Sequence, residues 1–384
     1  MSVPPPAYDL LLACAFWDPS ERQLDVVRAR ANAKVDWNEW LELVRAHRLV
    51  PHAQRALGAV RALSPPHVAE SLMKETVTIA AHSLARTKQL AELLKALDGD
   101  GVRALPFKGP ALSLAAYGDF GVRDSIDLDV VVCPPDIDRA RESLLRAGYS
   151  PRTEMSPAQE RTLQRSFGHF VYAAPGTGAS VELHWRFAAP RYPWSIPAEE
   201  VFARAVTVDI AGLTIASPDP TDQLLLQLMH GARHQWERLE WLVAFAQLLK
   251  RTREDEELLI ERAGANGSSR ALSLALRLAQ DLLGAPLSPR LAAPADAERS
   301  AARAAQIVRT LESGRFSTEQ PYRFNLGMMD RGADRARYIA LSVFAPTPRE
   351  WELVRLPDWL VFLYYPIRLA RVSLLRLRSL FVRR

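Results

Sequence analysis

The chain has 384 residues, of which 48% are hydrophobic and 24% are charged, and its formal net charge is +5. This composition is typical of a folded protein with two or three domains, and it excludes collagen-like and low-complexity chains. The modest, dispersed positive charge predicts no specific nucleic-acid partner. Two cysteines exclude a disulfide framework, and with the lack of a signal-peptide pattern they predict a cytoplasmic protein.

Helix signals fill residues 1–98, for which we predict an N-terminal helical domain. Asp36 can cap a helix that begins at Trp37, because its side chain can accept hydrogen bonds from the first free backbone N–H groups. Apolar residues recur every three or four positions over 67–97, which is typical of one long helix. The Asp-Gly-Asp-Gly sequence at 98–101 predicts a turn and the end of this domain.

Strand and helix signals alternate in residues 99–217, which predicts an α/β core with helices against one small mixed sheet. A Pro-Gly-Thr-Gly turn at 175–178 joins two of the strands as a hairpin, and residues 211–212 join another pair. β-Branched and alternating apolar residues predict the strands, which lie at 102–107, 125–133, 169–174, 179–187, 205–210 and 213–217.

Helix signals return in residues 218–384, which predicts a C-terminal helical domain with a basic tail. Asp219 is a suitable cap and Pro220 suits the first helical position. In the tail, residues 359–384, arginines alternate with Leu, Val and Phe. Such a tail either docks on the protein with its arginines in solvent or makes a peripheral contact with an anionic membrane face. The predicted fold class is therefore α+β, a mixed-sheet core flanked by two helical domains.

Two aspartates in one predicted strand carry the strongest chemical signal. Asp127 and Asp129 share a strand face because they lie two residues apart, among mostly apolar neighbours. Adjacent carboxylates repel each other unless a cation lies between them, and hard oxygen ligands select Mg²⁺ or Mn²⁺. Glu182, on another strand, is the candidate third ligand, and His184 on its face can orient a ligand or the acceptor. A second Asp-x-Asp pair, at 136 and 138, lies at a helix start, where acidic residues are common.

A Lys-Gly-Pro turn precedes these aspartates. The free N–H groups of a helix start and the charge of Lys108 favour phosphate, and Gly109 lets the backbone approach it closely. Away from the aspartates, the same turn would indicate an ordinary strand-to-helix connection with Pro110 at the helix start. Arg123 is suited either to a triphosphate contact or to an ion pair with Asp119.

A third cluster lies on the helix that follows Pro220. His230 and His234 are one helical turn apart, and Arg238 follows them. The histidine spacing would suit zinc, but no third ligand lies nearby in the sequence. A structural pair, or contacts to phosphate and acceptor, is the favoured interpretation for these three residues.

Three segments resemble, in this order, the uncharacterised bacterial nucleotidyltransferases of the polymerase-beta-like superfamily: FKGPALSLAAYGDFGVRDSIDLDVVV, VELHWRF and LMHGARHQWERLEWL. The resemblance implies a minimal nucleotidyltransferase sheet flanked by helical domains. In it, Asp127, Asp129 and Glu182 would bind the metal as catalytic carboxylates. Lys108 and Gly109 would match the turn that grips the phosphates.

The implied activity is metal-dependent transfer of a nucleoside monophosphate from an NTP, ATP being expected first, to a hydroxylated small molecule, peptide or protein. Natural-product or polysaccharide biosynthesis is the expected setting. Two departures from the family pattern keep alternatives open: Pro110 replaces a serine or glycine of the turn, and Ala244 stands where an aspartate is expected. The alternatives are a phosphoryl or sugar-phosphate transferase on the same fold, and a degenerate module that binds a nucleotide or a partner.

Overall fold

The structure is a computed structural model, and it describes residues 4–60, 64–210, 212–252, 255–295, 298–315 and 322–382. It confirms the predicted α+β class, because helices flank a mixed sheet on both sides in the sequence. The predicted domain boundary at 217/218 falls between a strand, Leu213–Ser217, and the helix Pro220–Arg233, whereas the boundary at 98/99 falls in the last turn of the helix Pro66–Gly99. The interpretation of these three parts as separate domains stays a prediction.

The helices before the sheet are α1 (Pro6–Ala13), α2 (Glu21–Ala31), α3 (Trp37–Ala46), α4 (Val50–Ala59) and α5 (Pro66–Gly99). The Asp36 side chain caps α3 as predicted, since it accepts hydrogen bonds from the backbone N–H groups of Asn38 and Glu39. The predicted long helix is α5, which has 34 residues. Its first turns pack in one hydrophobic core and its last turns in another, so α5 connects the helical part of the fold to the sheet.

The strands are β1 (Ala104–Pro106), β2 (Asp127–Val132), β3 (Ser150–Pro151), β4 (His169–Ala173), β5 (Ser180–His184), β6 (Val206–Ile210) and β7 (Leu213–Ser217). Five of them form a sheet in the order β1-β2-β5-β4-β3. β2 and β5 are parallel, and the other neighbours are antiparallel. The helices between these strands are α6 (Gly109–Tyr117), α7 (Ile137–Arg146), α8 (Pro157–Ser166) and α9 (Ala198–Arg204).

The structure differs from the prediction in which strands belong to the main sheet. β6 and β7 pair with each other as a separate two-stranded sheet, whereas the sequence analysis placed all six strands in one. The short β3 pairs with β4 at the edge of the main sheet instead. A hairpin such as β6–β7 satisfies its inner backbone groups by itself, so alternation alone cannot tell whether it joins a larger sheet. Residue 211 of its turn lies outside the described residues.

The helices after the sheet are α10 (Pro220–Arg233), α11 (Leu239–Arg251), α12 (Glu256–Ala265), α13 (Ser269–Leu283), α14 (Pro289–Ala295), α15 (Glu298–Ser313), α16 (Tyr322–Met328), α17 (Gly332–Phe344), α18 (Pro348–Leu353) and α19 (Tyr364–Val382). The Asp219 side chain caps α10 by accepting a hydrogen bond from the Asp222 N–H group, and Pro220 takes the first position as predicted. In the part of the chain that the structure describes, none of the helices combines the length and the hydrophobicity that a membrane crossing requires.

Two hydrophobic cores hold these layers together. The first joins the N-terminal helices to α10, α11 and α13, with Trp40 and Phe245 among its fully buried side chains. The second packs Leu128, Val130 and Val132 of β2 against α5 and α7. Because side chains alternate along a strand, the opposite face of β2 carries Asp127 and Asp129. The apolar face thus anchors the sheet and leaves the other face for chemistry.

His47 links the two helical parts and predicts a pH dependence of stability. Its buried ring lies 2.9 Å from the Leu311 carbonyl through Nε2 and accepts a hydrogen bond from the Leu239 N–H group at Nδ1. Both contacts are satisfied by one neutral tautomer, and burial lowers the pKa of His47 from 6.5 to about 4. As the pH falls from 6.5 towards 4, the His47 side chain takes up a proton in the unfolded chain but not in the folded protein. The stabilisation that is present above pH 6.5 is therefore lost over this range.

We expect this single residue to account for about 3 kcal/mol of that loss. Urea unfolding at pH 7.5 and pH 4.5 measures it, with the exposed His67→Gln variant as a control. The stability of His47→Gln should depend less steeply on pH than that of the unmodified chain. Equal pH profiles for the two would show that His47 is not the titrating group.

Candidate active site

One face of the sheet collects the predicted acids. In the parallel pair of β2 and β5, Asp129 lies opposite Glu182 and Asp127 lies opposite Ser180. Residues in register on parallel neighbours point to the same side of the sheet, so the three carboxylates share one face. The structure therefore brings together three acids that were predicted to lie on two different strands.

Asp129 is the most buried of these acids, with 6% of its surface exposed. The Lys108 ammonium lies 2.5 Å from its Oδ1 atom, and the Nε2 atom of His184 lies 3.1 Å from the same oxygen. Burial alone would raise the pKa of Asp129, but Lys108 and His184 hold it well below its ordinary value. Asp129 is thus an anion at neutral pH, with the Lys108 ammonium as its cation.

Asp127 has a different environment. It is half-buried, and burial raises its pKa above the ordinary value, with further increases from Glu182 and Asp129. A hydrogen bond with Ser180 opposes this shift. Ionising Asp127 therefore costs free energy, and a nearby cation would reduce that cost.

Glu182 lies beside two histidines. Its Oε2 atom is 3.0 Å from Nε2 of His184, and its Oε1 atom is 4.0 Å from Nε2 of His169. His169 on β4 lies directly opposite His184 on β5, and the centroids of the two rings are therefore only 4.8 Å apart. Burial raises the pKa of Glu182, but the hydrogen bond with His184 and the charges of His184 and His169 together lower it overall. The pKa of His169 is lowered to about 4, mainly by burial.

The predicted phosphate turn lies next to these acids. Lys108 precedes α6, and Gly109 begins it with a φ angle of +58°, in the left-handed region that favours glycine. A Cβ atom at Gly109 would lie 3.3 Å from Oγ of Ser125 and 3.6 Å from the Asp127 carbonyl oxygen. A side chain at 109 would thus be strained and would crowd the start of β2. The start of α6 therefore lies close to the start of β2.

Arg123 pairs with an acid outside the group formed by Asp127, Asp129 and Glu182. Its guanidinium pairs with Glu240 of α11 at 2.8 Å, and the two side chains are 11% and 3% exposed. Asp119 is not its partner, because the Asp119 carboxylate accepts a hydrogen bond from the Gly121 N–H group. In this structure Arg123 fastens the loop before β2 to α11, and its predicted contact with a triphosphate stays a prediction.

The histidine cluster of α10 borders the turn. His230 and Arg233 line one small cavity with Lys108 and Tyr192. His230 is half-buried, and its pKa lies well below the ordinary value, mainly because the surrounding protein desolvates the ring. The centroid of its ring is 4.8 Å from the centroid of the His234 ring. The cluster therefore adds neutral imidazole rings and one guanidinium to the Lys108 side of the site.

His234 and Arg238 both contact Trp241 on the far side of this cluster. The ring of His234 is 5.3 Å from that of Trp241, and the Arg238 guanidinium lies over the same ring at 5.7 Å. Burial lowers the pKa of His234 to about 3. Their predicted part in acceptor binding stays a prediction.

The profile of a family described as "Uncharacterised nucleotidyltransferase" matches residues 33–284. The chain belongs to this nucleotidyltransferase family. The matched range contains every residue that sequence analysis assigned to the site. No curated protein matches the chain.

Membership of this nucleotidyltransferase family makes the chain an enzyme of the transferase class with an NTP as substrate. Nucleotidyltransferases generally use divalent metals. The donor set fits such an ion, because Asp127, Asp129 and Glu182 supply carboxylate oxygens from one sheet face. A buried anion that already recruits an ammonium group, as Asp129 recruits Lys108, is a suitable cation ligand.

Sequence analysis missed His169 as a member of this nucleotidyltransferase site. The signal was present: the predicted hairpin turn at 175–178 fixes the register of β4 and β5, and counting back from it pairs His169 with His184. Arg233, which lines the cavity with Lys108, was also not among the predicted site residues. Glu240 left no signal, since an acid in the first turn of a helix is ordinary.

Proposed function

We propose that this enzyme transfers a nucleoside monophosphate from an NTP, with ATP as the expected donor, to a hydroxylated small molecule, peptide or protein. Asp127, Asp129 and Glu182 are its catalytic carboxylates and hold Mg²⁺ or Mn²⁺. The observation that carries the proposal is the register that sets Asp129 opposite Glu182, with Asp127 on the same face. We also propose that the family belongs to the polymerase-beta-like superfamily, because this acid-bearing mixed sheet resembles its minimal core.

The ion, when bound, would supply positive charge that neutralises the triphosphate and stabilises the charge that develops at the α-phosphorus. The chain's own residues would position the donor. Lys108 would exchange its contact with Asp129 for the phosphates, because the incoming cation takes over the neutralisation of that carboxylate. Gly109 would allow the phosphates to approach the first turn of α6, where free backbone N–H groups attract anions.

The acceptor side lies around His169 and His184. A cleft of about 500 Å³ opens beside His169, and Met155 and Phe167 give it an apolar wall. Arg141 lines the same cleft and pairs with Glu160. A cleft with apolar walls and a few charged groups suits an organic acceptor that presents a hydroxyl group to the carboxylates. Of the residues that we propose for the acceptor or for an accessory role, His184 lies on this side, whereas His230, His234 and Arg238 would act from the Lys108 side.

Labelled ATP tests this function. With Mg²⁺ and a cell extract as the source of acceptors, [α-³²P]ATP should label a product and release unlabelled pyrophosphate, and a chelator should abolish both. Label transferred from [γ-³²P]ATP instead would identify a phosphoryl transferase. ATP binding that needs no metal and yields no labelled product would identify a degenerate binding module.

Other parts of the initial interpretation stay predictions. They include the cytoplasmic location, the biosynthetic setting and the membrane contact of the C-terminal helix. Trp359, Phe362 and Tyr365 are exposed, as such a contact requires. The side chains from residue 375 onwards lie outside the described residues.

A further inference from the structure

A cluster of nitrogen and oxygen donors lies beside the proposed carboxylate site. His169, Glu182 and His184 each offer one ligand atom, and these atoms all lie within 4.8 Å of one another. Asp127 is not a member of this group, and Glu182 is the residue that the two sets share. Two of the three donors are imidazole nitrogens, so the chemistry of this cluster differs from that of the three carboxylates.

We propose that His169, Glu182 and His184 bind a divalent first-row transition-metal ion at a position separate from Asp127. Mg²⁺ prefers oxygen ligands, whereas imidazole suits ions such as Zn²⁺ and binds Mn²⁺ as well. Two imidazoles and one carboxylate form a three-ligand set that leaves coordination positions open for water or substrate. The acidic face would thus hold a hard cation at its aspartates and a softer cation at its histidines.

The separations between the donor atoms differ from those of a metal site by amounts that side-chain rotation can change. Ligand atoms about 2.1 Å from a tetrahedral ion lie about 3.4 Å from one another. Nε2 of His184 is 3.0 Å from one Glu182 oxygen, and Nε2 of His169 is 4.0 Å from the other. These separations involve different Glu182 oxygens, and the whole set spans up to 4.8 Å, so the partly exposed His169 and Glu182 side chains would have to rotate towards the ion to close the set.

The surroundings of His184 are those of a metal-binding imidazole. Its Nδ1 atom lies 3.3 Å from the Arg186 carbonyl oxygen, a contact that directs Nε2 towards Glu182. Metal-bound histidines usually donate their second N–H group to such a backbone or carboxylate oxygen, which fixes the ring. The Phe107 and His184 rings pack edge to face with their centroids 5.1 Å apart, and this contact limits the movement of the His184 ring. Asp129 adds negative charge 3.1 Å from Nε2, and Lys108 partly offsets it.

Electron spin-echo spectroscopy of Mn²⁺ tests this site on the unmodified full-length chain, with no nucleotide present. A Mn²⁺ ion bound by His169 and His184 should show modulation from directly coordinated ¹⁴N nuclei, and added Zn²⁺ should displace this signal. Bound Mn²⁺ without nitrogen modulation would mean that only the carboxylates bind an ion, and it would overturn the proposal. The test uses the metal alone, so its result does not depend on nucleotidyl transfer.

The His169→Gln variant adds a binding measurement. Because second-sphere partners already contribute 10- to 100-fold, loss of a direct ligand should weaken Zn²⁺ binding by at least about 100-fold. The exposed His67→Gln variant is the control and should bind Zn²⁺ like the unmodified chain. Equal Zn²⁺ affinity for both variants, measured by competition with a chromophoric chelator, would remove His169 from the site.

Discussion

Replacing Asp127 and Asp129 together by asparagine should lower nucleotidyl transfer by at least about 1,000-fold while the fold stays intact. Asparagine keeps the size and most of the hydrogen bonds of each side chain, but it removes the negative charges that would hold the cation. The released Lys108 ammonium is partly exposed and can reach solvent, so the loss of stability should be small compared with the loss of activity. Transfer of the α-phosphate label measures the first effect and thermal unfolding the second.

The chain provides a matched control for this pair. Asp136 and Asp138 form a second Asp-x-Asp sequence, next to the start of α7, where they pair with Arg139 and Arg141. The Asp136→Asn and Asp138→Asn double variant removes the same charge from the other end of β2 and should keep full activity. Full transfer by the Asp127→Asn and Asp129→Asn double variant would refute the catalytic assignment.

Replacing Glu240 by glutamine should destabilise the protein by about 3–5 kcal/mol. The change leaves the Arg123 guanidinium buried without its carboxylate, and that guanidinium is 11% exposed. The pair joins α11 to the loop that enters β2, so the loss also loosens the segment that positions Asp127. Urea unfolding at neutral pH measures the change in the free energy of unfolding.

An exposed pair serves as the control for this prediction. Glu257 and Arg290 lie 3.0 Å apart with 83% and 67% of their side chains exposed, so Glu257→Gln should cost less than about 1 kcal/mol. Replacing Arg123 and Glu240 together by Met and Leu should recover most of the stability lost in Glu240→Gln. A cost below about 1 kcal/mol for Glu240→Gln would mean that Arg123 is free to leave its partner, as a triphosphate ligand would have to be.

Much of this site could be predicted because strands and caps follow local rules. Alternation along the predicted strands is enough to place Asp127, Asp129 and Glu182 on faces of a common sheet. The caps Asp36 and Asp219 were also predictable, because capping involves only the next few residues.

Contacts between distant segments could not be predicted in this way. The Lys108–Asp129 and Arg123–Glu240 pairs depend on how β1, α6 and α11 pack, and side-chain spacing carries no information on that packing. Periodicity also failed for β6 and β7, whose membership of a sheet is decided by tertiary packing. Ile126 is a smaller example: it lies within the predicted strand at 125–133, yet it is 56% exposed immediately before β2.

We propose that the acidic face of β2 and β5 holds a divalent cation together with a nucleoside triphosphate. Anomalous diffraction from a crystal grown with Mn²⁺ and a nonhydrolysable ATP analogue tests it most directly. We expect a manganese peak bonded to oxygens of Asp127, Asp129 and Glu182, with the triphosphate in contact with Lys108. A bound analogue elsewhere, with no manganese at these acids and Lys108 still paired with Asp129, would contradict the account.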